Sequence, residues 1–136
     1  MPNPTRVLVC EDDDGIRTLV EVLLRRRGFI VEPVKNGRAA IEVLFQDDFD
    51  LIVLDLLMPV VGGYEVLSFL RGTRPDLLDR VVVLTAFPNA FREPLPIAAV
   101  VRKPFDIEEL NAVLDGVMNR KRTDEWSPPP AILGSP

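Results

Sequence analysis

At 136 residues the chain fits one domain, long enough to bury roughly two thirds of its unfolded surface without disulfides or a structural metal. Its 47% hydrophobic and 27% charged residues argue against general disorder, and a net charge of −5 argues against a nucleic-acid surface, which needs clustered excess Lys and Arg. Histidine is absent altogether, which removes Ser-His triads, imidazole metal sites and histidine general bases in one step.

The chain begins with a short extension, residues 1–4, and then Arg6 to Cys10 reads as a first buried strand. Cys10, the only cysteine, sits in this apolar run as a small hydrophobe, so no disulfide can form within the chain. With no basic, then apolar, then small-residue pattern at the N-terminus, a reducing cytoplasmic location is expected rather than secretion. No apolar run approaches the roughly 18 residues that span a bilayer, so no membrane insertion is expected.

Glu11-Asp12-Asp13-Asp14 follows the strand at once. Helix entry accounts for part of that acidity, since Asp13 or Asp14 caps a helix and acids in the first turn favour its dipole. Ile16, Leu19, Val20, Leu23 and Leu24 then recur at helical spacing up to Gly28. Phe29 to Val34 is a second strand, placed on a sheet edge because Pro33 cannot donate to a ladder. Asn36-Gly37 opens a second helix rather than a hairpin, because Ala39, Ala40, Ile41, Val43, Leu44 and Phe45 do not alternate.

Leu51-Ile52-Val53-Leu54 is a third strand, apolar on both faces as a central parallel strand is. Asp55 stands where it ends, at the carboxyl edge where open α/β sheets bind ligands, and Pro59 enforces an exit into a loop. Tyr64, Val66, Leu67 and Leu70 give a third helix ending near Gly72. Val81 to Leu84 is a fourth buried strand ending on Thr85-Ala86. Pro88, Pro94 and Pro96 then leave room for one or two helical turns around Asn89 to Glu93, so a fourth helix is short or irregular. Ile97 to Val101 is a fifth strand, Arg102-Lys103-Pro104 leaves it, and Asp106 caps a last helix. After Met118 the composition turns basic and then proline-rich, so residues 5–118 are read as the domain and 119–136 as a flexible tail. Trp126 is the one large aromatic in that tail, read as partly exposed or docked on this domain or a partner.

Strands alternating with helices make an α/β fold, a doubly wound five-stranded parallel sheet with helices on both faces. The carboxyl ends of four strands then share one edge, which receives Glu11 and Asp12, Asp55, Thr85 and Lys103. Three carboxylates at one rim repel each other. A hard divalent cation resolves the conflict, since Mg²⁺ takes oxygen ligands and uses one or two carboxylates together with phosphate oxygens. Lys103 supplies a point charge for a carboxylate or phosphoryl group, and Thr85 a hydrogen-bond donor.

These residues resemble the receiver domain of two-component response regulators, over roughly Thr5 to Met118. The matching pieces are Val7-Leu8-Val9-Cys10-Glu11-Asp12-Asp13, the run Leu51 to Pro59 with Gly63 following, Leu84-Thr85-Ala86, and Arg102-Lys103-Pro104-Phe105. The resemblance implies a flavodoxin-like strand order 2-1-3-4-5 and a phosphoacceptor at Asp55. It implies Mg²⁺ held by Asp12, Asp55 and the backbone carbonyl of Leu57, with Glu11 acting indirectly, and Thr85 and Lys103 on the phosphoryl oxygens. It also implies a sensor histidine kinase or histidine phosphotransfer protein as phosphoryl donor, with self-phosphotransfer and autodephosphorylation as the only chemistry. Without a further folded segment after Met118, a single-domain regulator is expected, with no direct DNA binding and an unknown downstream protein, acting by association or in a phosphorelay.

Two departures stand out. The family usually carries Tyr or Phe three residues before the lysine, where this chain has Val100, and the segment from Thr85 to Lys103 is short and proline-rich. The readout is therefore expected to differ, with Phe87 and Phe91 as candidate partner contacts or local packing. The alternatives are a receiver-like interaction module not regulated by phosphorylation, and a Mg²⁺-dependent phosphatase with an aspartyl nucleophile. Such phosphatases usually place a second Asp two residues after the nucleophile, where Leu57 stands.

Overall fold

The computed structural model describes residues 4–90 and 96–121. Its elements are β1 (Arg6–Cys10), α1 (Asp14–Arg26), β2 (Ile30–Val34), α2 (Gly37–Gln46), β3 (Leu51–Asp55), α3 (Gly63–Thr73), β4 (Val81–Thr85), β5 (Ala99–Arg102) and α4 (Ile107–Lys121). The strands pair in parallel in the order β2-β1-β3-β4-β5. This is the expected doubly wound sheet, with β2 and its Pro33 on an edge.

Alternation along each strand divides the core. Leu8, Cys10, Ile52, Leu54 and Val83 point to one face, where Ala40 and Leu44 of α2 and Val66, Leu67 and Leu70 of α3 cover them. Val7, Val9, Leu51, Val53, Val82 and Leu84 point to the other, under Val20, Leu23 and Leu24 of α1 and Leu110, Leu114 and Val117 of α4. Both faces of the central strands are dry, which explains their unbroken apolar runs.

Side-chain caps set where the helices begin. Asp13 Oδ1 accepts the amide of Ile16 at 2.8 Å, and Asn36 Oδ1 accepts that of Ala39 at 2.8 Å. Asp106 and Glu109 exchange side-chain and backbone bonds of 2.8 and 3.1 Å, a capping box at the entry to α4.

The structure shifts several boundaries. Phe29 precedes β2, its amide bonded to Leu24 O at 3.3 Å. β5 starts at Ala99 rather than Ile97, although Ile97 and Ala98 are as buried as strand residues. α4 continues past Met118 to Lys121, with Arg120 Nη2 donating to Ala98 O at 3.3 Å. Nothing between Met118 and Lys121 breaks a helix, and basic residues favour its last turn. A 3-10 helix at Pro75–Arg80, not foreseen, carries the chain from α3 into β4. Between β4 and β5 the described residues hold one 3-10 turn, Pro88–Ala90. The rest of that expected short helix, with Phe91, and the segment 122–136 with Trp126 lie outside the described residues.

Candidate functional site

Glu11 and Asp12 leave the end of β1, Asp55 ends β3, Thr85 ends β4 and Lys103 follows β5, so one edge of the sheet gathers all of them. Glu11, Asp55 and Thr85 are buried, whereas Asp12 is open to solvent. Each of Glu11, Asp12 and Asp55 brings a carboxylate oxygen within 4.8 Å of the others.

Lys103 reaches back over this cluster. Its Nζ lies 2.7 Å from Glu11 Oε1 and 3.3 Å from Asp55 Oδ2. Its own amide donates to Thr85 O at 2.8 Å, extending the β4–β5 ladder by one bond and fixing where the side chain starts. Glu11 Oε2 accepts the amide of Asp13 at 3.1 Å, and Asp55 Oδ1 accepts that of Leu57 at 3.2 Å. Arg17 Nη1 donates to the Glu11 carbonyl at 2.9 Å.

Burial, more than any neighbour, pushes the Glu11 carboxyl up to about 7; the Lys103 ammonium and the Asp13 amide pull it down, and Asp55 adds to the rise. Burial opposes the charge on Lys103, but Glu11 and Asp55 outweigh it and hold the ammonium above its ordinary range. Cys10 is pushed up to about 12, first by burial and then by Asp55, Glu11 and Asp12, so it stays a neutral thiol beside the carboxylates.

The donor set fits a hard cation. Its oxygens are all carboxylate, and no imidazole or thiolate competes. Glu11 Oε1 is buried, and the ammonium of Lys103 at 2.7 Å is the partner it meets among the described residues. Such an oxygen has capacity left for a cation or for a water bound to one. Lys103 also lines a cleft of about 260 Å³ with Ile16, Leu19, Ala86, Pro104 and Phe105, an apolar flank beside the polar cluster.

The family model for the response regulator receiver domain matches residues 7–115. The chain belongs to that family. It is 34% identical over 126 residues to the response regulator MprA of Mycolicibacterium vanbaalenii, covering 90% of this chain and 54% of that one. The chain thus spans about half the length of the curated relatives it matches. Among solved structures it is similar to the chemotaxis response regulator CheY4 of Vibrio cholerae, with a TM-score of 0.75 and 28% identity over 85% of this chain and 99% of that one. It is also similar to TrrA of Thermotoga maritima in complex with Mg²⁺–BeF, at a TM-score of 0.72 and 28% identity over 83% and 98% of the two chains. TrrA in complex with the histidine kinase ThkA matches at a TM-score of 0.69 and 28% identity, over 84% of this chain and 98% of that one.

The structure brings Glu11, Asp12, Asp55 and Lys103 together, with Thr85 beside them through the Lys103 amide. Leu57 touches the cluster through its N–H. Val100 packs against the core on the α2 and α3 side, and Phe87, 62% exposed, donates its amide to Thr85 Oγ1 at 3.0 Å. Sequence reasoning missed the packing of α2 on the loop after Asp55. A glycine at the first helical position, where most residues form helix better, was its one signal.

Proposed function

We propose that Asp55 is the phosphoacceptor of this receiver domain, in a Mg²⁺-dependent transfer from a phosphohistidine. The observation that carries the reading is the single ammonium of Lys103 set between the buried carboxylates of Glu11 and Asp55. Three carboxylates share this one ammonium, so an arriving phosphoryl group needs Lys103 together with a divalent cation to balance its charge.

In this reading an Asp55 carboxylate oxygen attacks phosphorus, the bond from phosphorus to the imidazole nitrogen of the donor breaks, and the imidazole leaves. Phosphoryl transfer asks for positioning and charge neutralisation rather than covalent help. Lys103 balances charge on the phosphoryl oxygens, and the Thr85 hydroxyl donates to one of them. Asp12, Asp55 and the Leu57 carbonyl would hold Mg²⁺, with Glu11 bound to it indirectly. When bound, the ion neutralises the incoming phosphoryl group. Hydrolysis then returns Asp55: water attacks phosphorus and the bond to the carboxylate oxygen breaks. The donor is a sensor histidine kinase or phosphotransfer protein, a reading supported by the TrrA relative, and the apolar flank of Ile16, Leu19 and Phe105 is suited to its approach. The phosphorylated domain, spanning about residues 5–118, signals by association with a downstream protein or by passing the group on.

Treatment with acetyl phosphate and MgCl₂, followed by intact mass, tests this. One added phosphoryl group is expected on the wild type and none on Asp55→Asn. A variant labelled at the wild-type rate would remove Asp55 as the acceptor. The second reading, an interaction module indifferent to phosphorylation, is favoured by Val100 in place of an aromatic residue. A wild type that stays unlabelled in the same experiment would support it.

A further inference from the structure

We infer that the N-terminus of α2 is a positioning device for the metal site, with Gly37 as its contact residue. This rests on the proposal that Asp55 and the Leu57 carbonyl hold Mg²⁺.

The loop from Leu56 to Gly62 carries the Leu57 peptide and is clamped from two sides. On the α3 side, the Gly63 amide donates to Leu56 O and the Gly62 amide to Glu65 Oε1, both at 2.9 Å. On the α2 side, the Gly37 amide donates to Val61 O at 3.0 Å. The approach is so close that a Cβ on Gly37 would overlap the Val61 carbonyl and fall 2.8 Å from Val61 Cγ1. Beneath this contact the Cys10 thiol donates to Asn36 O at 3.4 Å and meets Met58 Sδ at 3.6 Å. The end of β1, the cap of α2 and the loop are thus tied at one point.

Between the clamps, Val60 is held at φ 69° while 91% exposed. A β-branched residue adopts this conformation only when its surroundings over-determine it, and so exposed a side chain does not do so. The backbone is forced by its two anchors. α2 therefore acts on the site through the loop, without touching the metal or the phosphoryl group.

Backbone amide shifts titrated with MgCl₂ alone, on wild type and Gly37→Ala, test the inference. Mutating groups that position ligands typically costs 10–100-fold in metal affinity, so Gly37→Ala is expected to raise the Mg²⁺ Kd about tenfold. Its rate of labelling by acetyl phosphate at saturating Mg²⁺ is expected to stay within about twofold, the split that marks positioning rather than chemistry. An unchanged Kd in folded Gly37→Ala overturns the inference. If that variant does not fold, Asn36→Ala and Asn36→Ser decide: loss of the cap is expected to weaken Mg²⁺ binding, and the serine cap to restore it. Equal affinities in the two overturn the inference as well. A wild type that binds no Mg²⁺ overturns the metal site itself, and the inference with it.

Discussion

Lys103 Nζ stands 2.7 Å from Glu11 Oε1, so the ammonium holds a charge position that a divalent cation at this cluster would share. A Mg²⁺ ion bound here would compete with the lysine for the same carboxylates. Lys103→Ala is therefore expected to bind Mg²⁺ more tightly than the wild type while losing about 10²-fold in phosphorylation rate, the cost of removing one preorganised charge from a transition state. Mg²⁺ titration and acetyl phosphate labelling measure the two effects separately. Weaker Mg²⁺ binding in the variant would contradict the competition.

Asp12 is the exposed member of the acidic cluster, and neutralising it relieves repulsion without opening the core. Asp12→Asn is expected to raise metal-free stability by up to about 1 kcal/mol, the range of exposed charge pairs. Mg²⁺ bound at this site is expected to stabilise the wild type by mass action, by about 2.7 kcal/mol at a hundredfold excess over Kd, and so to raise Tm. The variant is expected to lose that response. Thermal melts with and without MgCl₂ give both quantities, and a wild-type Mg²⁺ response in the variant removes Asp12 from the ligand set.

The gathering of these residues at one edge was legible because each ends or follows a strand of one parallel sheet, so chain order alone carried Asp55, Thr85 and Lys103 there. The strand limits were less so. Ile97 and Ala98 are apolar and buried, as strand residues are, yet the ladder with β4 opens at Ala99 against Val82. Asn119, Arg120 and Lys121 have the composition of a tail and the geometry of a last helical turn. The role of Gly37 was hidden because its cause is the carbonyl of Val61, a backbone contact that no periodicity announces. A pairing of Lys103 with Glu11, rather than with Asp55 alone, needed three-dimensional geometry in the same way.

Cys10 has no accessible surface, and its thiol is pushed up to about 12 by burial and by the three carboxylates. Only the thiolate reacts, and a free cysteine titrates near 8.5. At pH 8 the native thiol is expected to react with a soluble disulfide reagent about three orders of magnitude more slowly than the urea-unfolded chain. Labelling of Cys10 then reports opening of the fold. Rapid reaction of the native protein would mean that the end of β1 opens without global unfolding.

Val60 provides a test of stored strain, because its side chain is 91% exposed and contributes little packing that a substitution could remove. A left-handed conformation costs an L-residue roughly 1–2 kcal/mol, and glycine adopts it freely. Glycine also gains freedom in the unfolded chain, which offsets up to about 1 kcal/mol of that relief. Val60→Gly is thus expected to stabilise the protein by up to about 1 kcal/mol once that offset is taken in full, seen as a higher urea midpoint at unchanged slope. Both clamps on the loop survive this change, so the Mg²⁺ Kd is expected to stay at its wild-type value while stability rises. A loss of stability would show that the loop draws its shape from the Val60 side chain, contrary to its exposure. Weaker Mg²⁺ binding with stability intact would show that the strain itself, and not the anchors at Gly37 and Glu65, sets the Leu57 peptide.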